Sequence, residues 1–182
     1  MNRTIQADLH RYGGLTGFSG FLKGLLIPGF WYTFIIRKLN GKTRFTPLWF
    51  LYSFLRLVYG YRYGFQVPAS TSIGEGFYIG HFGSLVINRK TVIGKNCNVA
   101  HGITIGQANR GKRKGAPTIG DNVWIGTGAV LVGKITIGTN VLIAPNSFVN
   151  MDVPDNSIVI GNPAQIRPSE NATEGYINHI LR

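Results

Sequence analysis

A single cysteine, Cys97, occurs in the 182 residues, so no intrachain disulfide framework can form. That composition suits a reducing compartment. Acid is scarce too: seven Asp and Glu stand against nineteen Lys and Arg, a formal net charge of +12. The shortage is steepest in residues 1–66, which hold nine cations and one acid, Asp8. With so few carboxylates, paired-acid catalysis has little support, and Glu75 and Asp121 read as turn residues. Long apolar runs are missing as well. The longest uncharged one, Gly24 to Ile36, contains Pro28 and two glycines and falls short of the ~20 residues that span a bilayer. Met1 to Gly14 is polar and no small-residue cleavage site follows an apolar run, so a cytoplasmic setting is expected. No P-loop, nucleophile elbow, zinc finger, RRM or helix-turn-helix pattern is present, which argues against phosphate cradling, a serine nucleophile and a nucleic-acid partner.

What is present falls into three segments: a basic, aromatic helical segment over 1–66, a repeat domain over 67–167, and a tail over 168–182 expected to form a short helix. In the first, a helix is expected over Gly20 to Leu39, bent or split at Pro28. Pro47 opens another, with Leu48, Leu51, Tyr52, Leu55 and Val58 at helical spacing and Gly60 and Gly64 breaking it. Lys23, Arg37, Lys38, Arg56 and Arg62 are interspersed with Phe and Trp. These helices either cap the open end of the repeat domain or lie on an anionic membrane as a peripheral contact.

After Pro68 a period of six takes over. Ile73, Ile79 and Leu85 are six apart, as are Ile93, Val99 and Ile105, and as are Ile119, Ile125, Leu131, Ile137, Ile143 and Val149. Glycine follows several of them, as at Gly74, Gly94, Gly120 and Gly138. A period of six fits neither a helix nor a hairpin. It fits a mainly β fold, a left-handed parallel β-helix of about four triangular coils, with one aliphatic residue per side pointing inward. Strand spacing makes the stack roughly 20 Å tall. Small or β-branched residues four places on, Cys97, Val123, Ala129, Val141 and Ser147, suit the cramped interior, so Cys97 is expected to fill the core. Two interruptions stand out: a bulge expected at Leu85 to Thr91, and a projecting loop over 107–118, QANRGKRKGAPT, with four cations. Flat sides and triangular coils favour a homotrimer.

His81 and His101 each lie two places after an inward aliphatic, so both should sit on the same edge of neighbouring coils, beside the basic loop. An imidazole there could act as general base toward a hydroxyl. Asn109, Arg110, Lys112, Arg113 and Lys114 either meet anionic groups of donor or acceptor or form a merely solvated loop. No third ligand has suitable spacing for a metal, and none is expected.

The stretches GHFGS, AHGITIGQANRGKRKG, IGDNVWIGTGAVLVG and VPDNSIVIGNPA, set in the hexads, resemble the hexapeptide acyltransferases, in the branch of serine acetyltransferases and saccharide O-acetyltransferases. The resemblance covers roughly Phe65 to Arg167. It implies trimers with acetyl-CoA as donor lying between neighbouring coil stacks. A departing CoA thiolate carries its own leaving-group chemistry, so no covalent acyl-enzyme is required. The resemblance matches His81 to the base. It places the donor around Trp124, Gly126, Thr127, Ala144 and Pro145 and the segment ending at Arg167. Trp124 walls that cleft or packs at a subunit contact. The supporting acid of the serine enzymes falls near Gln66, their second histidine falls at Ala116, and His101 stands where they usually have another residue. These departures point to a saccharide hydroxyl as acceptor, with serine O-acetylation, a non-catalytic trimeric scaffold and, more distantly, a metal-dependent hydratase as the alternatives. Either His81 or His101 could be the base.

Overall fold

The computed structural model describes residues 2–40 and 43–181. Four helices come first: α1 (Arg3–His10), α2 (Gly17–Gly24), α3 (Pro28–Asn40) and α4 (Pro47–Tyr63). Pro28 and Pro47 each sit in a first turn, where a missing N–H costs nothing. The Thr46 side chain caps α4 by accepting from the Trp49 N–H, and Gly64 ends it at φ +74°. Gly60 does not break α4 as expected. It stays helical, and glycine is needed there because a Cβ would meet the Phe65 carbonyl at 2.9 Å. The polar start hides α1, which buries Ile5, Ala7 and Leu9.

From Phe65 onward the chain winds into a left-handed, three-faced parallel β-helix. Face A stacks β1 (Phe65–Gln66), β4 (Leu85–Ile87), β7 (Thr104–Gly106), β10 (Val130–Val132) and β13 (Phe148–Val149). Face B stacks β2 (Ser72–Ile73), β5 (Val92–Ile93), β8 (Thr118–Ile119) and β11 (Thr136–Ile137). Face C stacks β3 (Tyr78–Ile79), β6 (Asn98–Val99), β9 (Val123–Ile125), β12 (Val141–Ile143) and β14 (Ser157–Ile160). An antiparallel strand, β15 (Gln165–Pro168), closes that face. Five strands on face A make five turns, one more than the hexads suggested.

The extra turn comes from the two ends, with Val67 inward before Ile73 and Val153 and Val159 inward after Val149. Within the series the spacing also departs from six. Phe65 pairs with Leu85, whereas Ile87 pairs with Ile105. The inward residue of β4 that continues the six-step series is therefore Ile87, and the two added residues lie between Ile79 and Ile87. The bulge expected over Leu85 to Thr91 is thus the corner that follows His81. Both Leu85 and Ile87 point inward and are buried, so spacing alone picked the wrong one. At the far end, Ile137 bridges Val153 and Ile143 pairs with Val159, a step of 16 that shortens one corner by two.

Inward residues such as Ile79, Val99, Ile125, Ile143 and Val159 on face C form unbroken buried columns. Each such side chain contributes about 1.5–3 kcal/mol by leaving water. The corner between faces B and C needs a left-handed residue in every turn. Gly76, Asn96, Asn122, Asn140 and Asn156 supply it, all at positive φ. Asn tolerates this region because its short amide bonds locally.

The helices cap the first coil. Tyr32 of α3 donates to the Phe65 carbonyl, and Asp8 of α1 pairs with Arg37 of α3 at 2.8 Å while accepting the Phe77 N–H. Arg37 donates to the carbonyls of Ile73 and Gly74. Among the described residues the tail forms no helix. After β15 it runs back along face C, because Asn140 bonds the Glu170 carbonyl and the Thr173 hydroxyl, and Asn98 donates to the Tyr176 carbonyl. Arg11 of α1 then takes the Asn178 carbonyl at 2.8 Å.

Candidate active site

The corner leading from face C to face A holds both candidate histidines. Ile79 pairs with Val99 in β3 and β6, so His81 and His101, each two residues further on, stand one above the other. Their rings meet edge to face, 5.7 Å between centroids, and both are exposed. The two residues added after His81 are tied to the end of α4: the Gly83 N–H donates to the Tyr63 carbonyl and the Leu85 N–H to the Gly64 carbonyl, each at 2.9 Å. Gly83, at φ +133°, passes over His101, where a Cβ would meet the His101 Cβ at 3.2 Å. Phe82 projects beside Tyr63, 6.0 Å between centroids.

The same corner continues up the prism. The Gly128 N–H donates to the His101 carbonyl and the Asn146 N–H to the Thr127 carbonyl, so Thr127 and then Pro145 follow the histidines in one column. Gly126 and Ala144 precede them. Four of the expected donor residues therefore do line the histidine edge.

Trp124 lies next to that edge, in register with Asn98 and Leu142 on the outer side of face C. A Cβ on Gly126 would lie 2.8 Å from the indole. Its partner is the chain's own tail: the Tyr176 ring lies 4.7 Å away. Arg167 is not part of the column. It sits on β15 opposite Ile158, four strand spacings from β6, about 19 Å along the stack.

The basic loop also departs from expectation. It leaves β7 toward β8, at the corner between faces A and B, so face A separates it from the histidines of the same chain. Ala108 and Gly115 pair antiparallel and pinch it into a small hairpin. Gln107 donates to the Asn109 side chain at 2.6 Å. Arg113 is engaged within the chain: its carbonyl accepts the Lys134 N–H, and its guanidinium pairs with Asp152 at 3.1 Å. The Thr136 N–H and Arg113 hold the Asp152 carboxyl below the usual carboxylate range. Arg110, Lys112 and Lys114 remain exposed at the tip.

Gln66, where an acid was sought, lies in a groove of about 720 Å³ between α4 and the first turns of face A, with Arg56, Asn88 and Arg89. Sequence reasoning missed this groove, because α4 meets face A only in the fold. No group of three or more His, Cys, Asp or Glu that could hold a metal occurs among the described residues.

A five-turn triangular prism built on hexads is the fold of hexapeptide-repeat transferases, and comparison with known proteins agrees. The family model for bacterial transferase hexapeptide (six repeats) matches residues 116–150. The chain is 37% identical over 119 residues to serine acetyltransferase of Bacillus pumilus, covering 65% of this chain and 55% of that one. It is 39% identical over 103 residues to the Bacillus subtilis enzyme, covering 57% and 48%. The crystal structure of Neisseria gonorrhoeae serine acetyltransferase in complex with serine superimposes with a TM-score of 0.73 at 30% identity, covering 91% of this chain and 68% of that one. The chain belongs to the hexapeptide-repeat acyltransferases. It spans about half the length of the curated relatives it matches. These findings overturn the expected saccharide acceptor, since the relatives at this identity are serine acetyltransferases. Gln66 and Ala116 mark two changed side chains, and the loss of two side chains does not by itself create a sugar site.

Proposed function

We propose that this chain transfers an acetyl group from acetyl-CoA to the side-chain hydroxyl of serine. The observation that carries the proposal is the pair of stacked imidazoles, His81 and His101, on an exposed edge of the prism in a chain related to serine acetyltransferases. His81 is the base in this reading. It takes the hydroxyl proton as the serine oxygen attacks the thioester carbonyl. The carbon–sulfur bond then breaks, and the imidazolium returns a proton to the departing CoA thiolate. The products are O-acetylserine and free CoA, with no covalent enzyme intermediate. His101 stands 5.7 Å away and orients the acceptor or supports the charged ring. Thr127 and Pro145 continue the edge along which the donor lies. A threefold assembly, with the donor between neighbouring prisms, belongs to the same proposal.

The test is thiol release from acetyl-CoA with and without L-serine. Release that depends on serine and yields O-acetylserine is expected, and His81→Ala should lower it about 10²–10⁴-fold. Wild-type rates in both His81→Ala and His101→Ala would remove the mechanism. Absence of serine-dependent release in the wild type would remove the acceptor.

A further inference from the structure

We propose that α4 and the turn before it form a docking surface for an anionic lipid bilayer, on which the protein rests without crossing it. The argument starts from a helix turned inside out. None of the 17 residues of α4 is fully buried. Phe50, Phe54, Leu57, Val58 and Tyr61 recur at helical spacing and form one stripe facing away from the protein, with Phe54 63% and Tyr61 86% exposed. Three of the four α4 tyrosines face inward instead. Tyr52 packs on Phe34, Tyr59 on Trp31 and Tyr63 on Phe65, while Arg56 faces Tyr32. A helix of a water-soluble surface shows the opposite arrangement.

At the start of the stripe the rings of Phe45, Trp49 and Phe50 cluster, with centroids 5.1–6.4 Å apart. Aromatic rings beside cations suit the boundary between headgroups and acyl chains. Among the described residues no single helix is long and apolar enough to cross a membrane, and only the bent pair of α2 and α3 passes by length and composition. α4 packs on α3 along one side and is exposed along the other, which is the geometry of a helix lying in the interface.

Charge selects the occupant. No Asp or Glu occurs between Leu9 and Gly74, and Arg44 and Arg62 stand at the two ends of the stripe. Anionic headgroups complement such a surface. In a two-fold contact a second copy of the chain would set this acid-free surface against itself, leaving arginines opposite arginines with nothing to pair them.

The experiment is co-sedimentation of the full chain with vesicles of phosphatidylglycerol mixed into phosphatidylcholine, against vesicles of phosphatidylcholine alone. The protein should pellet with the anionic vesicles at low salt. High salt should weaken binding, because the cationic contribution is screened within a Debye length. Phe50→Glu with Phe54→Glu should reduce binding at least ~10-fold, since both charges would enter the apolar boundary. Both positions are exposed, so folding and thiol release without vesicles should stay at wild-type level. A wild-type protein that stays in the supernatant with anionic vesicles overturns the proposal. So does equal pelleting with neutral vesicles. A drop in oligomer mass in the double variant, measured by light scattering, assigns the stripe to a second copy and overturns it too. The vesicle readout is separate from acetyl transfer, so each proposal fails on its own measurement.

Discussion

Cys97 sits four places after the inward Ile93, buried in the column of small side chains, with its Sγ on the Gly120 carbonyl at 3.2 Å. Burial pushes its thiol up from 9.0 to about 12. The thiolate is the reactive form, so native protein at pH 8 should resist iodoacetamide, and urea-unfolded protein should be labelled fully. Mass spectrometry after a timed quench reads both, and rapid native labelling would contradict this burial. The same shift has a sign for stability. The raised folded value adds stability that is complete below about pH 9 and is lost as pH climbs toward 12, because the unfolded thiol gives up its proton first. Single residues of the site were unevenly legible. The offset of two from an inward aliphatic was enough to stack His81 on His101 once the two residues beyond three hexads were placed in a bulge between them. The partner of Trp124 was not, because Tyr176 comes from a tail with no period at all.

Elements tell a similar story, with the close approach of successive coils as the deciding force. At Gly94 a Cβ would lie 2.3 Å from the Asp121 side chain and 2.5 Å from the Gly120 carbonyl. Gly74 meets Gly94 in the same way, and Gly120 meets Gly138. Glycine after the inward aliphatic is therefore a packing requirement where face B turns toward face C. Gly94→Ala should destabilise the fold by about 1–3 kcal/mol, the usual cost of overpacking. A chain of this size should then melt several degrees lower, roughly 2–4 °C per kcal/mol, in a calorimetric scan. An unchanged melting temperature would mean the coils can separate locally without cost. The repeating elements were legible because each inward residue repeats a physical demand of its neighbours. The irregular ones were not. Two adjacent inward candidates, Leu85 and Ile87, blurred the corner after His81, and α1 was masked by its polar face, whose Asp8 is buried against Arg37 instead of solvated.

For the whole molecule, the arrangement of edges poses a problem that one chain cannot solve. The histidines occupy the corner between faces C and A, the cationic hairpin the corner between faces A and B, and β7 of face A lies between them. If the hairpin serves the acetyl donor, it must serve the histidines of another copy. A head-to-tail contact brings unlike edges of two chains together, and three such contacts close into a ring. Light scattering should accordingly give three times the 20.0 kDa of the chain. Mixing supplies the sharper test. One variant carries His81→Ala, and the other carries Arg110→Ala, Lys112→Ala and Lys114→Ala, which leaves the Arg113–Asp152 pair in place. Each variant alone should be nearly inactive. Refolded together in equal amounts, they regain an intact histidine facing an intact hairpin wherever unlike chains meet in the right order. Random assembly of head-to-tail trimers makes this roughly a quarter of all sites, so serine-dependent CoA release should return to roughly a quarter of the wild-type rate. No recovery on mixing, from variants that still assemble as trimers, would place the hairpin outside the reaction and leave its exposed cations to the solvent.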